Sequence, residues 1–61
     1  MATDILIVDD ERDIRSLISG ILVDEGYEAR EAGDANSALA EIEDRQPDAI
    51  LLDIWLEGSR L

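Results

Sequence analysis

The sequence predicts an α/β fold built on a doubly wound parallel sheet, in the order β-α-β-α-β. Three observations predict it. Two short runs are apolar at every position, Ile5-Leu6-Ile7-Val8 and Ala49-Ile50-Leu51-Leu52. Strands buried on both faces of a parallel sheet read in that way. Each run stops at an aspartate, Asp9 or Asp53. Between the runs lie two segments of helical apolar spacing and one short strand-like stretch. Such alternation is the pattern of right-handed βαβ units.

The first run is too short for a helix, and Asp9-Asp10-Glu11 ends it abruptly. A helix follows. Ile14, Leu17, Ile18, Ile21 and Leu22 fall at i, i+3, i+4, i+7 and i+8, which puts them on one stripe expected to face the core. Asp10 is the expected N-cap, with Glu11 and Asp13 in the acid-favouring first turn. Gly26 supplies a left-handed stop. Tyr27 to Ala32 reads as a short, half-polar strand suited to a sheet edge, where charges discourage edge-to-edge pairing. Arg30 and Glu31 are read there as solubilising residues.

Gly33 breaks that strand, and Asp34 is the expected N-cap of a second helix. Ala35, Ala38, Leu39 and Ile42 form its inner face, small enough to lie close to a sheet, and Pro47 closes it. The last apolar strand ends at Asp53. Residues 54–61 show no period and read as a loop.

Composition narrows the function. The chain of 61 residues carries 16 acids and 5 bases, all arginine, for a net charge of −11. A phosphate backbone or an anionic membrane is repelled by such a chain. With no cysteine and no histidine, these residues offer no disulfide, no thiol nucleophile and no Ser-His-Asp arrangement. The usual zinc ligand sets are equally out of reach. The longest apolar runs have four residues, too short for a membrane span or a signal peptide. So small a chain leaves roughly 40% of its unfolded surface wet. It needs a staple: a metal, a partner or further chain.

Ligands bind outside the carboxyl ends of strands in open parallel sheets. Asp9, Asp10 and Asp53 stand at such ends. If the first and third strands are neighbours, three carboxylates converge and repel one another, and a proton or a cation relieves the conflict. A hard divalent ion with oxygen ligands does so best; magnesium takes one or two carboxylates, keeps waters and meets phosphate oxygens. Structural roles compete with this reading. Asp10 can cap a helix, Glu11 can complement its dipole, and Asp53 can simply end a strand.

Ile5-Leu6-Ile7-Val8-Asp9-Asp10-Glu11, then Gly26-Tyr27, Ala32, Ala38-Leu39 and Pro47-Asp48-Ala49-Ile50-Leu51-Leu52-Asp53, resemble the receiver domain of two-component response regulators. The stretch from Asp53 to Leu61 is similar to the corresponding loop of NtrX-type nitrogen-regulation regulators. The resemblance implies a flavodoxin-like (CheY-like) sheet of strand order 2-1-3. It implies that Asp53 is the phosphoacceptor for a sensor histidine kinase. Asp10, Asp53 and the backbone carbonyl of Trp55 become direct Mg²⁺ ligands, with Asp9 acting mainly through a metal-bound water. It further implies a cytoplasmic module without turnover, in a parent whose transcriptional output and DNA contact reside in other domains.

Receivers carry two more strands, bearing a Ser/Thr and a Lys that contact the phosphoryl group. This chain has no lysine. Residues 1–61 therefore match the N-terminal half of such a domain, through the loop after the third strand. Alone, this half is expected to bind Mg²⁺ weakly, to be impaired in phosphorylation and to lack an output surface. Its open apolar third strand suits a second copy or a complementary fragment.

Other residues have blander readings. Trp55 either anchors a partner or covers the loop. Arg12 and Arg15 are expected to pair locally with acids on their own helix, whose polar edge is also a candidate kinase contact. Two further functions stay open on sequence. One is an aspartyl-phosphate phosphohydrolase of the haloacid-dehalogenase kind, although Asp9-Asp10-Glu11 lacks its Asp-x-Asp spacing. The other is a passive acidic interaction domain.

Overall fold

A computed structural model describes residues 2–52 of the chain. The elements are β1 (Asp4–Val8), α1 (Arg12–Asp24), β2 (Glu28–Ala32), α2 (Ala35–Asp44) and β3 (Ala49–Leu52). The sheet is parallel and has the order β2-β1-β3, as expected. Ile5 aligns with Ala29 and Ala49, and Val8 aligns with Ala32 and Leu52.

This order fixes where the helices go. The first crossover steps from β1 outward to β2, and the second steps back past β1 to β3. With both crossovers right-handed, the helices fall on opposite faces. Side chains of a strand alternate between those faces. Leu6 and Val8 accordingly pack with Ala32, Ala38 and Ile42 on the α2 side. Ile7 turns the other way, towards Ile14 and Ile18 of α1. Among the described residues, Leu6 and Ile7 are the two fully buried large side chains, which makes β1 the centre of the core. Burying each contributes about 1.5–3 kcal/mol.

Burial elsewhere is thinner than the pattern implies. No residue of α1 is fully buried, and Leu17 and Ile21 of its stripe are exposed. All four residues of β3 are exposed as well. The reason is geometric: both helices lie over β1 and β2, and neither packs on β3. An apolar stripe reports which face turns inward, but not how much sheet lies beneath it.

Local rules account for the boundaries. Gly26 adopts φ 95°, and the amides of Gly26 and Tyr27 donate to Val23 and Leu22. These paired bonds close α1 as a Schellman motif. They also explain why β2 begins at Glu28 rather than Tyr27. The Tyr27 amide belongs to the helix end, whereas the Glu28 amide donates to the Thr3 carbonyl at 2.8 Å. Asp34 caps α2 as expected, accepting from the Ser37 amide at 2.7 Å. That bond holds the Asp34 carboxyl below the usual range.

The expected Asp10 cap of α1 is not formed. Glu11 occupies the N-cap position and makes no side-chain cap bond. The helix starts one residue later than expected, and the Glu11 amide donates to Asp9 Oδ1 at 2.9 Å.

Candidate functional site

The acidic pair sits at the carboxyl end of β1. β1 lies between β2 and β3 in the sheet, and doubly wound sheets of this strand order bind ligands at a switch point between the carboxyl ends of the first and third strands. A cleft of about 390 Å³ lies at this end, with Asp9, Asp10 and Asp34 at its rim and Val8, Leu39 and Leu52 among its apolar walls. A second groove of about 340 Å³ runs on the α1 side between Ile7, Ile14, Ile18 and Leu51. Asp9 borders both.

The two aspartates of the pair differ sharply. Asp9 is 3% exposed. Its amide donates to the Ala32 carbonyl at 3.1 Å, continuing the β1–β2 ladder one residue beyond the strand. Its carboxylate holds the Glu11 amide. Its carbonyl accepts from Arg15 Nη1 at 2.6 Å. Asp10, the next residue, is exposed to solvent. One acid is thus built into the fold, and its neighbour is exposed to solvent.

Arg15 departs from expectation. It does not pair along its own helix. Its guanidinium reaches over the end of the sheet, with Nε 3.3 Å from Glu31 Oε1 and Nη1 on the Asp9 carbonyl. Gly33 leaves room for it: a Cβ there would stand 3.1 Å from Nη1. The sequence holds one signal for this placement. Arg15 lies one helical turn beyond Glu11 and so shares the face of α1 nearest the acid pair.

Arg30 is likewise no mere solubilising residue. At the opposite end of β1 it binds Asp4 through two nitrogens and meets Glu41 and Arg45 of the α2 end. The cluster braces the fold and lies away from the acidic pair.

Asp53 and Trp55 fall outside the described residues. Asp53 follows Leu52 in sequence, and Leu52 aligns with Val8, the residue before Asp9. Among the described residues, no three acids stand close enough to hold a metal ion. The hard oxygen donors at Asp9 and Asp10 suit magnesium in kind, and they need a further ligand to complete a site. Also among the described residues, no helix is long and apolar enough to cross a membrane.

Comparison with known proteins agrees with this architecture. The family model for the response regulator receiver domain matches residues 5–60. The nitrogen assimilation regulatory protein NtrX of Azorhizobium caulinodans is 69% identical over 61 residues, covering 100% of this chain and 13% of that protein. The chain therefore spans about one eighth of that relative's length. The crystal structure of the receiver domain of NtrX from Brucella abortus superposes with a TM-score of 0.83 at 67% identity, over 95% of this chain and 48% of that one. Vibrio cholerae chemotaxis protein CheY4 gives a TM-score of 0.87 at 36% identity, over 92% of this chain and 47% of its own.

Proposed function

The chain belongs to the response regulator receiver domain family, and from that premise we propose that Asp53 accepts a phosphoryl group from a sensor histidine kinase. The family match makes the chain part of a phosphorelay signalling module. It lends no support to a haloacid-dehalogenase-type hydrolase or to a passive acidic domain. The residue assignments are our own reading. Asp53 carries the phosphate; Asp10, Asp53 and the Trp55 carbonyl would hold Mg²⁺; and Asp9 would act through a water of the metal's shell.

The observation that carries this reading is the contrast between Asp9 and Asp10. A buried, triply bonded acid sets an exposed one at the mouth of the switch-point crevice. Asp53 is the residue after the strand paired with β1. An Asp53 oxygen forms a bond to phosphorus as the phosphohistidine N–P bond breaks. The imidazole nitrogen keeps the electron pair and takes up a proton. Mg²⁺ held by these carboxylates would neutralise charge on the phosphoryl oxygens. The product is an acyl phosphate, whose added charge biases the surrounding surface.

The likeness to NtrX supports a place in nitrogen regulation, with transcriptional output through other domains of a cytoplasmic protein. The module turns over no substrate of its own. These residues form the N-terminal half of the receiver on this reading. The test is phosphate incorporation from acetyl phosphate into the full-length protein. We expect incorporation that needs Mg²⁺ and disappears in Asp53→Asn; incorporation unchanged by that substitution overturns the assignment.

A further inference from the structure

We propose that Arg15 is a positioning residue that aims the Asp10 carboxylate at the metal. The inference rests on the magnesium site described above and adds to it a residue outside the ligand set. Arg15 Nη1 lies 2.6 Å from the Asp9 carbonyl oxygen. That oxygen belongs to the peptide plane joining Asp9 to Asp10, and a peptide unit rotates as a rigid plate. Fixing the oxygen fixes the Asp10 nitrogen across the same plate, and with it the direction in which Asp10 leaves the sheet.

The other bonds leave this task to Arg15. The Asp9 amide is tied to Ala32, and the Asp9 carboxylate to the Glu11 amide. The first holds the plate before Asp9, and the second holds the backbone after Asp10. Among the described residues, the Arg15 bond is the one that acts on the plate between them. The guanidinium is itself held in place: its side chain is 17% exposed, Nε is bonded to Glu31, and Gly33 provides space beneath it. A cation bonded here also offsets part of the charge of the acid pair in the metal-free state.

Partners of metal ligands, one bond removed from the ion, typically change affinity by about 10–100-fold when lost. Arg15→Met keeps the length of the side chain and removes its donors. In the full-length protein, Mg²⁺ titrated calorimetrically should bind at least about 10-fold more weakly to this variant. Arg15→Lys, which keeps a donor for the Asp9 carbonyl, should recover most of the loss.

A metal-free measurement separates aim from general stability. Amide hydrogen exchange at Glu11, whose amide is bonded to the Asp9 carboxylate, should rise in Arg15→Met while exchange at Leu6 stays level. Asp10→Asn serves as the reference. If it leaves Mg²⁺ affinity intact, the metal site itself is misassigned and the inference falls with it. If Asp10→Asn abolishes binding while Arg15→Met binds normally, or if Arg15→Met raises exchange equally at Leu6, the positioning role is overturned.

Discussion

Arg30 sets Nε and Nη2 on the two carboxylate oxygens of Asp4, at 3.1 and 2.9 Å. The remaining donors reach the end of α2: Nη1 meets the Glu41 carbonyl and carboxylate at 2.9 and 3.0 Å, and Nη2 meets the Arg45 carbonyl at 2.7 Å. Arg45 then adds its own Nε to Asp4 at 3.0 Å. One guanidinium thus joins β1, β2 and the helix that delivers the chain to β3. Asp48 completes the corner by accepting the Asp4 amide at 2.8 Å. In a small chain without disulfides, this cluster steadies the strand whose far end carries the acid pair.

Losing Arg30 should therefore cost more than losing Arg45. The Arg30 side chain is 14% exposed and its bidentate partner Asp4 10%, whereas Arg45 is 59% exposed. Arg30→Met leaves a nearly buried carboxylate without its main partner and takes the Nη2 donor from the Arg45 carbonyl, while the Glu41 carbonyl keeps the Arg45 amide. The urea midpoint should fall clearly in Arg30→Met and only slightly in Arg45→Met. Equal falls contradict the account of the cluster.

The same pair sets an acid limit on stability. The hydrogen bond from Arg30, joined by the charges of Arg30 and Arg45, holds the Asp4 carboxyl below its ordinary range. A carboxyl depressed in the folded state stabilises fully above its unfolded pKa of about 3.9. That contribution is lost as pH falls through the folded value. Urea midpoints measured from pH 6 downwards should drop below about pH 4. The drop should be shallower in Asp4→Asn, and an identical slope in both proteins removes Asp4 as a source.

Leu6 is wholly buried between β1 and the small face of α2. Leu6→Ala should destabilise by about 2–5 kcal/mol. Leu17→Ala, at an exposed position of α1, should lie near neutral. Chemical denaturation of the two variants checks the placement of the core on β1.

Gly26 alone has positive φ among the described residues. Gly26→Ala forces a side chain into the left-handed region at a cost of about 1–2 kcal/mol. Gly20→Ala, inside α1 with open space around it, should instead stabilise by roughly 0.5–1 kcal/mol. Opposite signs for the two glycines in thermal melts are the expected outcome.

These elements differ in how far the sequence revealed them. The two apolar runs ending in aspartate, the Asp34 cap and the Gly26 stop are local signals, and each stands where it was expected. The sheet order followed from the family resemblance and agrees with the pairing of β1 with both other strands. Arg30 was misread because its partners lie 11, 15 and 26 residues away, and no periodic pattern links them. Arg15 was misread for a related reason, since it bypasses its own helix for Glu31, 16 residues on. The Asp10 cap failed because α1 begins one residue later than expected, with Glu11 at the N-cap position. Asp9 and Asp10 were legible as a candidate site by type and position, but the division between a buried acid and an exposed one required the fold.

The central claim is that Asp53 is the acid that carries phosphate. The most direct measurement phosphorylates the full-length protein with acetyl phosphate and Mg²⁺, then reduces it with borohydride. Reduction converts a phosphorylated aspartate to homoserine, which peptide mass spectrometry locates. The account predicts homoserine at position 53 and none at positions 9 or 10. Homoserine at position 9 or 10, or an unmodified Asp53 in phosphorylated protein, contradicts it.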